Sequence, residues 1–255
     1  MIPKTIHYCW FGGNPLPPLA VKCIKSWEKY CPDYEIIEWN ESNFDIDAAP
    51  LYVRQARDAK KWAFVTDYVR LYVLTTYGGV YMDTDVEVVK SLDPYLDHAA
   101  FSGFENEVCV PTGIMACEKE FPLFTELLLY YDTASFLKKD GSLDVTTNVE
   151  IITKILLQRG LVLNNQYQKI DGFALYPNDY FCPLSYSTGK LKKTRRTVTI
   201  HWFNGSWKTP EQMERYKKRR RKNRIKETFR GPIRAGRKLL GTERFERIKR
   251  KLFPN

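Results

Sequence analysis

The strongest chemical signature in the chain is Asp83 and Asp85, separated by one residue in the run Gly78-Gly-Val-Tyr-Met-Asp-Thr-Asp85. Val80 to Met82 read as a short buried strand, and open α/β sheets keep their ligand sites at the C-terminal ends of strands. Two carboxylates placed there side by side repel each other. A divalent cation removes that repulsion. Magnesium or manganese held by one or two carboxylates plus phosphate oxygens is the usual arrangement in nucleotide chemistry. Asp-x-Asp triplets also arise by chance in surface loops, so the weight of this one comes from the double glycine and apolar strand before it.

Five further groups fit the same chemistry. Asp67 and Arg70 are three apart on one helix face: either a routine ion pair worth about 0.3 kcal/mol, or an acid and a guanidinium placed for sugar hydroxyls and a diphosphate. Trp10 precedes Gly12-Gly13 and offers a flat face to a nucleobase, or simply fills the core. His201 sits in Thr199-Ile-His-Trp-Phe-Asn-Gly-Ser-Trp207 and can complete a metal shell through an imidazole nitrogen, as well as serve as a core histidine. Ser206 and the Trp207 indole N–H are donors suited to a departing phosphate oxygen. Asn148, in the turn before a helix, is a contact for sugar or acceptor.

The elements that must position these residues alternate. Residues 5–10 and 34–39 read as strands around a helix at 19–30, which is a βαβ unit and predicts a parallel sheet. A helix over 58–77 stops at Gly78-Gly79. Beyond the acidic pair, 121–131 and 149–158 read as helices, and 161–163, 174–176 and 197–202 as strands. The fold class is therefore α/β.

The 255 residues carry a net charge of +10, which is unevenly spread. From Lys208 to Asn255 there are 19 Lys/Arg against 5 Asp/Glu, a balance of +14, so the body before it carries −4. This shift divides the chain into a body at 1–207 and a basic helical extension at 208–255. Residues 217–226 hold eight Lys/Arg in ten positions, and beyond Gly231-Pro232 the apolar Leu240, Phe245, Ile248 and Leu252 recur at near-helical spacing. A basic amphipathic helix reads as a binder of anionic membrane surface, with packing on the body or self-association as the blander roles. Six cysteines without Cys-x-x-Cys pairing, no basic-then-apolar leader and no apolar run of about 20 residues place the protein in the cytoplasm with reduced thiols. It would then be peripheral on the inner face of the membrane.

Four segments in this order resemble glycosyltransferase family 32: Ile2-Pro-Lys-Thr-Ile-His-Tyr-Cys-Trp-Phe-Gly-Gly13, Ala63-Phe-Val-Thr-Asp-Tyr-Val-Arg70, Tyr77-Gly-Gly-Val-Tyr-Met-Asp-Thr-Asp85 and His201-Trp-Phe-Asn-Gly-Ser-Trp207. That family includes capsular polysaccharide transferases and relatives of the fungal initiating mannosyltransferase. The resemblance implies a GT-A fold, Rossmann-like, with a mostly parallel sheet flanked by helices. It also implies transfer with retention of anomeric configuration and a Mn2+- or Mg2+-dependent donor site. By similarity, Trp10 stacks on the base, Asp67 and Arg70 hold the transferred sugar, Asp83 bridges ribose, sugar and metal, and Asp85 binds the metal directly. The distant glucosylating toxins supply a carboxylate as the last metal ligand. Here that place offers His201 or Asn204, and His201 is chosen by similarity to other retaining transferases.

The expected reaction moves a hexose from a nucleotide-diphosphate sugar to a glycan or lipid-linked oligosaccharide, as in surface or capsular polysaccharide synthesis. Uridine diphosphate sugars are favoured, galactose above all, with guanosine diphosphate mannose as the other donor in view. Two rivals stand beside it. A haloacid dehalogenase-like phosphatase also uses a strand-end DxD, but Glu87 stands where its pattern has Thr or Val. A nucleic-acid-binding protein would use the basic tail, but the body is acidic and carries no recognised binding module, so no nucleic acid partner is expected.

Overall fold

Apolar side chains alternate along Thr5–Cys9, and in the computed structural model this run is β1 at the heart of a sheet. The structure describes residues 1–105, 109–206 and 208–240, with side chains up to residue 229. The chain divides into two units, one of Met1–Leu184 with Leu191–Trp207, the other of Ser185–Lys190 with Lys208–Asn255.

In the first unit, β1 is followed by α1 (Pro18–Tyr30), β2 (Glu35–Trp39), α2 (Leu51–Asp58), α3 (Trp62–Tyr77), β3 (Gly79–Met82) and β4 (Val86–Val88). Then come β5 (Ala100–Gly103), β6 (Ile114–Cys117), α4 (Pro122–Thr133), α5 (Asn148–Gln158), β7 (Gln168–Ile170), β8 (Phe173–Tyr176), α6 (Asn178–Phe181) and β9 (Thr199–His201). Seven strands form one sheet in the order β2-β1-β3-β6-β5-β8-β7, and β4 and β9 pair separately. The half that carries β2, β1 and β3 is parallel, as the βαβ reading requires. Antiparallel β6 lies between β3 and β5, and β8 is again parallel to β5. The expected α/β GT-A architecture is thus present, with a mixed sheet flanked by helices.

The period of two along the strands sends side chains into two apolar layers. Ile6, Tyr8, Val80, Met82, Phe101 and Ala116 join Trp27 of α1 on one face. Tyr81, Met115, Cys117 and Leu175 join Val69 and Val73 of α3, Leu127 of α4 and Ile152 of α5 on the other. Gly79 is required where α3 turns into β3. Its φ is +100°, and a Cβ there would meet the Thr5 carbonyl oxygen at 2.7 Å.

Several elements differ from the sequence reading. The helix expected over 58–77 begins only at Trp62, because Lys60 takes φ 54° and turns the chain after α2, a helix the sequence reading did not include. Residues 161–163 form no strand, and β7 follows them as the edge. The four-residue β5 and β6 and the three-residue β4 are too short for a periodic signal. In the second unit, α7 (Pro210–Leu240) is continuous through Gly231-Pro232. Phe245, Ile248 and Leu252 lie outside the described residues, as does Trp207. No helix among the described residues is long and apolar enough to cross a membrane.

Candidate active site

Strand β3 ends at Met82 and releases Asp83 at its C-terminal end, where the Asp83 N–H donates to the Gly113 carbonyl at 2.8 Å. The two oxygens of Asp83 are divided. Oδ1 accepts from Tyr81 Oη at 3.1 Å and lies 3.3 Å from Arg70 Nη2. Oδ2 lies over Gly113, beside the His201 ring.

Two residues on, the chain enters β4, which pairs antiparallel with β9 so that Val86 stands opposite His201. This ribbon brings His201 to Asp85 across a long stretch of sequence. His201 Nε2 lies 3.2 Å from Asp85 Oδ1, and Asp85 Oδ2 accepts from the Asn204 N–H at 2.7 Å. The ribbon is pinned by the Trp27 indole donating to the Val86 carbonyl and the Trp202 indole donating to Glu87. The Phe203 ring sits 4.1 Å from the imidazole, and Cys182 hydrogen-bonds it. Phe203 holds φ +54°, an uncommon backbone conformation for a residue with a side chain.

One ligand atom from each of Asp83, Asp85 and His201 falls within 4.8 Å of the others. Two carboxylate oxygens and an imidazole nitrogen form a donor set that suits a hard or borderline divalent cation. The partly exposed Asp83 side chain leaves one side open to phosphate oxygens. The residues therefore fit the cation the sequence led us to expect. Burial disfavours the charged His201, but Asp85 and the hydrogen bonds to the ring outweigh it and raise its pKa well above the ordinary range. Burial likewise raises Asp85, yet His201 and the Asn204 N–H hold its carboxyl below the usual value. A cation competes with the His201 proton for the same nitrogen.

Arg70 of α3 is buried, with its guanidinium held on several sides. Nη1 donates to Thr112 O at 2.7 Å and to Thr112 Oγ1 at 3.0 Å, while Nη2 lies 3.3 Å from both Asp67 and Asp83. The Tyr81 ring lies 4.7 Å below it. Burial opposes its charge, but Asp83, Tyr81 and Asp67 more than offset that and raise its pKa. The Asp67–Arg70 spacing is thus a buried bridge to the acidic pair. Burial pushes the Asp67 carboxyl up to about 6, against the pull of Arg70. Asn148 opens α5 against Asp67: its Nδ2 donates to the Asp67 carbonyl at 2.5 Å, its N–H reaches Asp67 Oδ2 at 3.4 Å, and Tyr131 Oη donates to Asn148 Oδ1 at 2.5 Å.

The structure therefore brings together Asp67, Arg70, Asp83, Asp85, Asn148 and His201. Trp10 follows β1, half-buried, with its indole N–H donating to the Asn14 carbonyl at 2.6 Å. Ser206 lies exposed in the turn after β9. Sequence reasoning missed Thr112-Gly113. This dipeptide accepts hydrogen bonds from Arg70 and Asp83, and its glycine makes room for His201: a Cβ there would meet His201 Nδ1 at 2.7 Å. The only local signal was a Pro-Thr-Gly ahead of an apolar run.

Residues 17–102 match the family model described as the glycosyltransferase sugar-binding region containing the DXD motif. That segment of the chain carries the DXD-containing glycosyltransferase signature. This family match replaces the phosphatase reading and bears out the family-32 resemblance. The chain is 29% identical over 130 residues to inositol phosphoceramide mannosyltransferase 3 of Schizosaccharomyces pombe, covering 50% of this chain and 36% of that protein. It is 24% identical over 209 residues to the uncharacterized glycosyltransferase L373 of Acanthamoeba polyphaga mimivirus, covering 72% and 78%. Among solved structures it is similar to the PaToxG glycosyltransferase, with 20% identity, a TM-score of 0.47 and coverage of 62% and 69%. The chain spans about a third of the length of the fungal relatives it matches.

Proposed function

We propose that this chain is a retaining, metal-dependent hexosyltransferase that takes its sugar from a nucleotide-diphosphate donor. The convergence of Asp83, Asp85 and His201 within 4.8 Å, next to the buried Arg70, carries this reading. When bound, Mn2+ or Mg2+ held by these three residues neutralises the diphosphate as its bond to the sugar breaks. Arg70 fixes Asp67 and Asp83 toward the transferred sugar. Trp10 stacks on the base, Asn148 orients Asp67, and Ser206, with Trp207 outside the described residues, donates to the leaving phosphate.

The anomeric C–O bond breaks with its electron pair going to the phosphate oxygen. The acceptor hydroxyl bonds to the anomeric carbon from the same face, and its proton passes to that phosphate. Support for front-face attack comes from Asp67, a carboxylate that shares Arg70 with Asp83. Its carboxylate is engaged by Arg70 and by the Asn148 N–H and so is poorly placed as a nucleophile.

The acceptor is a glycan or a lipid-linked oligosaccharide at an anionic membrane surface on the cytoplasmic side, as in capsular or other surface polysaccharide synthesis. The donor is a uridine diphosphate hexose, galactose first. The names of the fungal relatives make guanosine diphosphate mannose its competitor. Screening both donors for manganese-dependent hydrolysis and thermal stabilisation tests the reading. A Tm raised by one donor only with manganese supports it, and full activity of Asp85→Ala overturns the metal assignment.

A further inference from the structure

Residues 216, 220, 223 and 227 of α7 follow one helical stripe, and 218, 222, 225 and 229 follow the opposite one, both at the i, i+4, i+7, i+11 spacing of a single face. The first stripe is occupied within the second unit. The Tyr216 ring packs 4.9 Å from Tyr186, and its hydroxyl donates to the Tyr186 carbonyl at 3.3 Å. Asn223 Nδ2 donates to the Ser187 carbonyl at 3.3 Å. Arg220 passes so close to Gly189 that no Cβ fits there.

The second stripe is exposed, and it carries large apolar side chains among its cations. Ile225 is 50% exposed and Phe229 57% exposed. Lys218, Arg221, Lys222 and Lys226 share one continuous patch with Ile225. The single acid over 217–229 is Glu227, which lies on the occupied stripe. A helix that turns polar and aromatic groups inward, and cations around apolar side chains outward, is built for an environment that is anionic at its surface and apolar just beneath.

We propose that the outward stripe of α7, Lys218 to Phe229, is the membrane-docking face of this protein. The cations contact anionic lipid headgroups, and Ile225 and Phe229 insert at the headgroup–acyl boundary. This deepens the membrane partner named above and rests on that reading for its biological purpose, but not for its physics. It assigns the docking role to the first half of α7, within the basic stretch the sequence pattern marked; Phe245, Ile248 and Leu252 lie outside the described residues.

The test is co-sedimentation of the full chain with vesicles of phosphatidylcholine alone and of phosphatidylcholine with phosphatidylglycerol, at low and high salt. Binding to the anionic vesicles, weakened by salt, is expected. Each of Lys218→Gln, Lys222→Gln and Lys226→Gln lowers partitioning about fivefold. The double variant Ile225→Ser/Phe229→Ser lowers it about tenfold or more. Hydrolysis of a soluble nucleotide sugar and the helical circular dichroism signal are measured on every variant. Unchanged values mark a folded protein and keep failure of docking distinct from failure of the transferase reading. Equal binding to both vesicle types, or anionic binding unaffected by these variants, overturns the proposal. So does salt-dependent binding of duplex DNA without vesicle binding.

Discussion

A Cβ on Gly113 would stand 2.7 Å from Nδ1 of His201. The third member of the acidic cluster therefore occupies space that only a glycine leaves empty. Gly113→Ala has to move the imidazole away from Asp83 and Asp85, while the backbone at 113 has an ordinary φ. We expect manganese affinity and turnover to fall about a hundredfold, as for a misplacement of about 1 Å. The stability should drop only by what a local clash costs, about 1–3 kcal/mol. Calorimetric titration with manganese checks the first effect and urea unfolding the second; normal metal affinity would refute the spacing argument.

Arg70 divides its guanidinium among Thr112, Asp67 and Asp83. A lysine ammonium has no planar fork to reach all of them. Arg70→Lys is expected to lose about 10²–10³ in kcat. Removing the charge leaves carboxylates buried without their partner, so Arg70→Met should cost about 3–5 kcal/mol of stability. Comparing the two by denaturant unfolding and turnover separates fork geometry from charge.

Tyr131 touches no expected substrate group, yet its hydroxyl holds Asn148, which in turn holds Asp67. Tyr131→Phe leaves the buried Asn148 oxygen without that donor, a loss of about 1–3 kcal/mol. If Asn148 orients Asp67 for the sugar, kcat should fall more than the donor KM rises. A variant that lost stability with unchanged kinetics would make the Tyr131–Asn148 contact purely structural.

His7 gives the fold a pH dependence independent of the site. The Trp39 indole N–H donates to its Nδ1 at 3.1 Å, and its Nε2 lies 2.9 Å from the Gly78 carbonyl. Those partners require the neutral ring with its proton on Nε2. Burial lowers its pKa to about 4, only partly countered by the Gly78 hydrogen bond. Because the folded value is depressed, the unfolded chain binds the extra proton first. Stability is complete above about pH 6.5 and declines as pH falls toward 4, by about 3 kcal/mol from this group. Urea unfolding across that range, with His7→Gln as the comparison, should show a smaller decline for the variant.

The residues that carry chemistry were legible wherever short-range pattern and partner lie on one element. Asp67 and Arg70 share a helix face, Asp83 and Asp85 follow one strand, and each pair meets as its spacing implies. The alternating strands and the stop at Gly78-Gly79 likewise gave the parallel half of the sheet. What stayed hidden depends on distant pairing. Thr112-Gly113 matters because β6 lies beside β3, an antiparallel neighbour no local period announces. The break between α2 and α3 hung on the backbone of Lys60, an ordinary residue in an unusual conformation. The opposed stripes of α7 were obscured because cations occupy nearly every position from 217 to 226, which flattens any apolar period.

The β4–β9 ribbon sets the order in which this molecule becomes competent. The large sheet has all its strands by Tyr176, whereas His201 arrives only with β9, after a closure of more than a hundred residues from Asp85. Such distant pairings form late, since loop-closure entropy is lost before the contacts form. A chain whose β9 is not yet paired would keep the sheet and the acidic pair yet lack the imidazole. Tight cation uptake then becomes a readout of complete folding.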